Sequence, residues 1–143
     1  MLPAALVDAF ASARALSDRH SPGAAQEVLA RFITEGHLLR HLRRMRELYQ
    51  QRQATLIESL RKASGAALQL APSAQGMHIA HEVGERVDDT RLSRSAAEVG
   101  VYLAPLSLYC VEARRRGWVF GYAGFDEPTL RSAARAMAPF IRK

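Results

Sequence analysis

Cysteine occurs once in the 143 residues, as Cys110, so no disulfide can close within the chain. A reducing, cytoplasmic setting is the expectation. Lysine is nearly missing as well: Lys62 and Lys143 are the only two. No apolar run approaches the roughly 20 residues that cross a bilayer, which argues against a membrane protein. The opening Met1-Leu-Pro-Ala-Ala-Leu-Val-Asp8 has no basic stretch ahead of its apolar residues and does not read as a secretion signal. There is no glycine-rich phosphate loop, no paired-carboxylate motif and no serine in a nucleophile-elbow context. Read from its residues alone, the chain is an α+β domain without catalytic machinery of its own.

What is present is ordinary in bulk. Hydrophobic residues make up 48% and charged residues 24%, as in a globular protein with a real core, and the length suits one domain. The net charge is +6, nearly all of it arginine. A basic balance raises the question of a nucleic acid or other anionic partner. Arginine standing where other proteins use lysine is the plainer account.

The stretch Phe32 to Leu56 organises the rest. Leu38, Leu39, Leu42, Met45, Tyr49, Leu56 and Leu60 recur at three- and four-residue steps, which places them on one face of a long helix. Arg40, Arg43, Arg44, Arg46 and Arg52 fill the other positions. Before it, Leu2 to about Arg19 forms a first helix, with Leu6, Val7, Phe10, Ala13 and Leu16 sharing a face. Ser21 as N-cap and Pro22 in the first helical position open a second helix to Thr34, with Ala25, Val28, Leu29, Phe32 and Ile33 inward. Gly36 separates it from the long helix, which runs from His37 to about Ala63. The pattern then changes. Ala67–Ala71 and Met77–Val83 read as strands that pair in a hairpin. Asp88-Asp-Thr90 caps a short helix that Gly100 ends. Val101–Leu103 is a third strand, stopped by Pro105. Trp118–Ala123 is the most apolar strand and therefore central. Asp126 caps a last helix reaching Ile141. Helices first, then mixed strands and helices, give an α+β fold: a small, mostly antiparallel sheet with helices packed on one face.

Few constellations could carry chemistry. His37 and His41 share a helix face at metal-ligand spacing, but no third ligand accompanies them and arginine crowds the face. His78 and His81, three apart in a strand, point to opposite faces and cannot hold one ion together. Cys110 fits a small buried role better than a nucleophile. The arginine face of the long helix lacks a helix-turn-helix, a zinc finger or aromatic strands beside it, so it reads as a solvated or subunit-facing surface. No catalytic, cofactor or metal residue is expected, and no direct nucleic-acid or membrane contact.

The order of motifs says more: Leu2-Pro3; Gln26, Ala30, Phe32-Ile33 and Gly36-His37; Arg40-His41, Arg43-Arg44-Met45-Arg46, Tyr49 and Arg52; Gly76-Met77-His78; Gly100-Val101; Gly121-Tyr122-Ala123. This resembles the C-terminal part of MocR-type transcriptional regulators of the GntR superfamily, which join a winged-helix DNA-binding domain to a domain similar to fold-type I aminotransferases. The resemblance covers essentially the whole chain, and His41-Leu-Arg-Arg-Met-Arg with Tyr49 and Arg52 is its most specific part. It implies the small domain of the aminotransferase-like fold, with residues 1–20 as a lead-in helix and 21–143 as the domain proper. The family's pyridoxal phosphate lysine lies upstream of this segment, and neither Lys62 nor Lys143 matches it. Pyridoxal phosphate is therefore expected in a full-length parent and not in this chain. The large domain and the winged helix would be its missing partners.

Gly76, His78, Arg116 and Val119 are the positions the resemblance places toward an effector. Aminotransferases often hold the substrate carboxylate with an arginine in the last small-domain strand, and Val119 stands at that position here. Either the effector is not a simple amino acid, or another arginine such as Arg116 substitutes, or the register is off by one. An aminotransferase parent and a stand-alone module are the other readings. A truncated gene product is the expectation, with an open apolar surface that pairs two copies into a homodimer.

Overall fold

The computed structural model describes residues 2–19, 22–65, 68–74, 76–111 and 115–141. They form two compact units, 1–43 and 44–143.

The first unit carries a 3-10 turn at Ala4–Leu6, helix α1 (Val7–Ser17), helix α2 (Gly23–Thr34) and the start of α3 (His37–Ser64). Pro22 precedes α2 as its N-cap without a side-chain cap bond, and Ser21, the expected cap, lies outside the described residues. Gly36 adopts φ +76° between α2 and α3, a conformation only glycine takes without strain. The expected inward faces are not covered here. No residue of α1 or α2 is buried; Phe10 is 55% exposed and Val28 69%. The apolar periodicity is present in both helices, but a stripe shows only which face would be covered if something packed against it. Leu39 and Leu42, at the start of α3, are exposed too.

The second unit holds the core. The later part of α3 buries Leu56 and Leu60 against Leu68, Ile79, Trp118, Phe120, Tyr122, Leu130, Ala134, Met137 and Ile141. Tyr49, one turn and more before Leu56, packs against the same core half-buried. Strand β1 (His78–Val83), helix α4 (Asp89–Glu98), strand β2 (Ala104–Pro105), a 3-10 turn at Leu106–Tyr109, strand β3 (Arg116–Gly121) and helix α5 (Glu127–Ile141) complete it. The sheet order is β1-β3-β2, both pairs antiparallel, with His78 opposite Gly121 and Ala104 opposite Val119. The most apolar strand is thus central, as its composition requires. Pro105 sits on the edge strand β2, where its missing N–H removes no interior ladder bond. Asp88 caps α4 by accepting from the Arg91 N–H at 3.0 Å, and Asp126 Oδ1 accepts from the Thr129 N–H at 3.0 Å.

Two strand expectations are corrected. Residues 68–71 are not a strand, and Ala67 lies outside the described residues. The hairpin with β1 does not form; β1 pairs with β3 instead. The segment after α3 has another anchor. The Gln53 carboxamide donates to the Ser73 carbonyl at 3.0 Å and accepts from the Ser73 N–H at 3.1 Å, so that backbone is taken by a side chain and not by a ladder. Val101–Leu103 is likewise irregular, and pairing begins only at Ala104.

The unequal cover of α3 makes a testable contrast. Leu60 is fully buried and Leu39 is 54% exposed. Leu60→Ala is expected to cost about 3 kcal/mol of unfolding free energy, the range for emptying a leucine site in a packed core. Leu39→Ala should stay within about 0.5 kcal/mol. Urea midpoints of the two variants check this; equal shifts would mean the core extends along the whole helix.

Candidate functional site

Strand β3 positions the first cavity, of about 350 Å³. His78 from β1, Val119 and Gly121 from β3, and Leu130 and Met137 from α5 line it, together with Tyr102, Tyr109 and Phe125. The pairing of His78 with Gly121 is a packing device. A Cβ at Gly121 would stand 3.4 Å from the His78 ring carbon Cδ2, so the absent side chain leaves that space to the imidazole. No Asp, Glu, Lys or Arg lines the cavity among the described residues. It can hold an apolar or aromatic body and offer it an imidazole and two phenol hydroxyls. Among the described residues no group of three His, Cys, Asp or Glu could hold a metal ion.

Of the four positions expected to face an effector, the structure brings together two, His78 and Val119. Gly76 belongs to a separate polar groove with Arg46, Tyr49, Gln53 and Tyr122. Its carbonyl accepts from the Tyr122 hydroxyl at 2.9 Å, and that hydroxyl accepts from the Gln53 amide at 2.9 Å. The Arg52 guanidinium donates to the Ala123 carbonyl. Thus Arg52 and Gln53 on the long helix hold Tyr122-Ala123 at the end of the central strand. Arg52 is not merely one of a solvated row.

Arg116 does not line the His78 cavity. Its guanidinium donates to Asp89 Oδ1 at 3.3 Å. Asp89 is fully buried at the start of α4. Its carboxylate also accepts from the Ser107 N–H at 3.0 Å, the Ser107 hydroxyl at 2.8 Å and the Gly117 N–H at 3.1 Å. Burial alone would push this carboxyl up. The bonds from Ser107, Gly117 and Arg116 outweigh it and hold the group below its ordinary value. Arg116 is thereby committed to a structural anion.

The remaining candidates are scattered. His37 contacts Glu35 Oε2 at 3.2 Å and stacks on Phe32 with centroids 5.8 Å apart. His81 is half-buried on β1; burial lowers its pKa, with the Glu82 charge acting in the opposite sense. The Cys110 thiol is half-buried and donates to the Leu106 carbonyl at 3.5 Å. Lys62 pairs with Glu58 at 2.6 Å on an exposed turn of α3 and lines neither the His78 cavity nor the Gly76 groove. Lys143 lies outside the described residues. Sequence reasoning missed Tyr102, Tyr109 and Phe125 as lining residues. They sit in irregular segments and a turn, where no periodicity marks a buried or a facing side.

No protein-family model matches the chain. It is 30% identical over 138 residues to the probable rhizopine catabolism regulatory protein MocR of Rhizobium meliloti, covering 96% of this chain and 28% of that protein. A transcriptional regulator of the HTH type from Bacillus subtilis is 30% identical over 122 residues, 82% of this chain and 26% of its own length. The chain thus spans little more than a quarter of the curated relatives it matches. Among solved structures it superposes on a multiple substrate aminotransferase from Thermococcus profundus with a TM-score of 0.79 at 20% identity, over 91% of this chain and 32% of the enzyme. The kynurenine aminotransferase of Pyrococcus horikoshii, crystallised with PMP, KYN and KYA, gives the same values. The sequence is similar to MocR and HTH-type regulators, and the α+β fold is one found within aminotransferases, as a C-terminal small domain of such a regulator requires.

Proposed function

We propose that this chain is the effector-side small domain of an aminotransferase-like transcription regulator, a binding and signalling element and not a catalyst. One observation carries the reading: 96% of the chain aligns with a regulator while its fold is found in aminotransferases. In a full-length parent, pyridoxal phosphate and a winged helix would come from the remaining segments. The cavity beside His78 and Val119 would contribute the apolar wall of an effector pocket, with any carboxylate clamp supplied from elsewhere. Among the described residues none fits the cofactor itself, because Lys62, the one lysine among them, is an exposed partner of Glu58. A cytoplasmic location and a homodimer formed over the exposed apolar residues belong to the same reading. Light scattering on the purified chain at high concentration should give twice the chain mass, and a monomer would count against pairing.

The second reading is the small domain of a genuine aminotransferase, favoured by the structural neighbours. Immunoblotting of the native protein, with sequencing of any upstream segment, separates the two: a winged helix supports the regulator and its absence the enzyme. A native band of this chain's own length would remove both and leave a module acting alone. Chemistry offers a direct check. Borohydride reduction of the chain mixed with pyridoxal phosphate is expected to leave only slow, non-saturating labelling. Stoichiometric labelling that Lys62→Ala abolishes would overturn the non-catalytic assignment.

A further inference from the structure

A second cavity, of about 520 Å³, shares no lining residue with the one at His78. Leu68, Val83, Leu92 and Trp118 give it an apolar floor, and Arg86 and Arg91 stand in its wall. Trp118 is only 4% exposed, and its indole Nε1–H has no hydrogen-bond partner among the described residues. Buried donors are paired in the great majority of cases, so an orphan beside a cavity marks where an acceptor belongs. Neither Arg86 nor Arg91 forms an ion pair among the described residues. Asp88 also lines the wall, and its Oδ1 accepts from the Thr90 hydroxyl at 2.7 Å and the Arg91 N–H at 3.0 Å, which ties that oxygen to the start of α4. An apolar floor, two unpaired guanidiniums and a donor without an acceptor together describe a receptor for a small acid with an apolar body.

We propose that this cavity binds a small aromatic or aliphatic monocarboxylate, its hydrocarbon part on Leu68, Val83 and Leu92 and its carboxylate toward Arg86 and Arg91. A ligand oxygen or the π face of its ring set against Trp118 supplies the missing acceptor. The site does not depend on the regulator reading, because every residue in it belongs to this chain and none touches the His78 cavity.

Trp118 is the only tryptophan in the chain, so its emission reports on this site alone. Titration of the intact chain with phenylacetate, excited at the red edge of the indole band, is expected to give a saturable change below about 1 mM ligand. Phenylacetamide, the same shape without the charge, should bind about tenfold more weakly, and so should phenylacetate to Arg86→Gln/Arg91→Gln. Both arginines are exposed, so the double variant should keep the fold, which circular dichroism checks. Calorimetry on the same samples settles the matter if emission stays silent. No saturable binding by either method up to about 10 mM, or equal binding of acid and amide, overturns the proposal. Undiminished binding by the double variant overturns it as well.

Discussion

Alanine at Gly117 is expected to unfold the second unit or come close to it. Gly117 sits on the central strand at φ +153°, opposite Glu82 in the ladder. A Cβ there would stand 1.9 Å from the His81 carbonyl oxygen, 2.9 Å from its carbonyl carbon and 3.0 Å from the Glu82 Cα. All three are backbone atoms of β1, so no side chain can rotate away. The strands must part, and with them goes the Gly117 N–H bond to Asp89. The expected loss is about 4 kcal/mol or more, in the exceptional tail for single substitutions and much of a typical domain's 5–15 kcal/mol. Gly124→Ala is the control: a Cβ there meets nothing within 4 Å, so its effect should stay within about 0.5 kcal/mol. Urea unfolding of both variants decides the matter. A Gly117→Ala shift under about 1 kcal/mol would show that β1 and β3 do not approach as closely as described.

Asp89→Asn is the second large effect. Its two carboxylate oxygens accept four bonds, from Ser107 twice, Gly117 and Arg116. Asparagine turns one acceptor into a donor that faces donors, and it leaves Arg116 without its counter-charge. About 3 kcal/mol should be lost, as when one side of a buried charge network is removed. The pH dependence has a definite sign. The folded pKa of Asp89 lies below the ordinary 3.8, so the stability it confers is fully present above that value. It is lost as pH falls through the lower folded value. Asp88 is lowered too, first by the Arg91 N–H and then by the Thr90 hydroxyl, and Asp126 by the Thr129 hydroxyl and then its N–H, and both act in the same direction. Unfolding free energies measured from pH 7 down to pH 2 should therefore fall more steeply for the native chain than for Asp89→Asn, and some slope should remain in the variant. Parallel curves would mean that the pKa of Asp89 is not lowered on folding.

Much of the fold was legible locally. The long helix announced itself by its period, α4 and α5 by Asp88 and Asp126 at their starts, and the central strand by the apolar run from Trp118. The motif order around His41–Arg46, Tyr49 and Arg52 was enough to point to the regulators that the chain matches. These signals share one property: each is written within a few residues, where backbone geometry and hydrophobic spacing act directly.

The site was decided elsewhere. Gln53 holds Ser73 and Tyr122, 20 and 69 residues away, and Asp89 gathers Ser107, Arg116 and Gly117 from 18 to 28 residues on. Nothing near Gln53 or Asp89 in the sequence records those partners. The same holds for the rejected hairpin: 68–71 and β1 look like neighbours, yet β1 pairs with β3 because Gly117 lets its backbone come close. Sequence periodicity by itself determined which faces are apolar. Only the tertiary structure decided that Leu56 and Leu60 of α3 are buried in the core of the second unit, because burial depends on what packs against a face and not on the face.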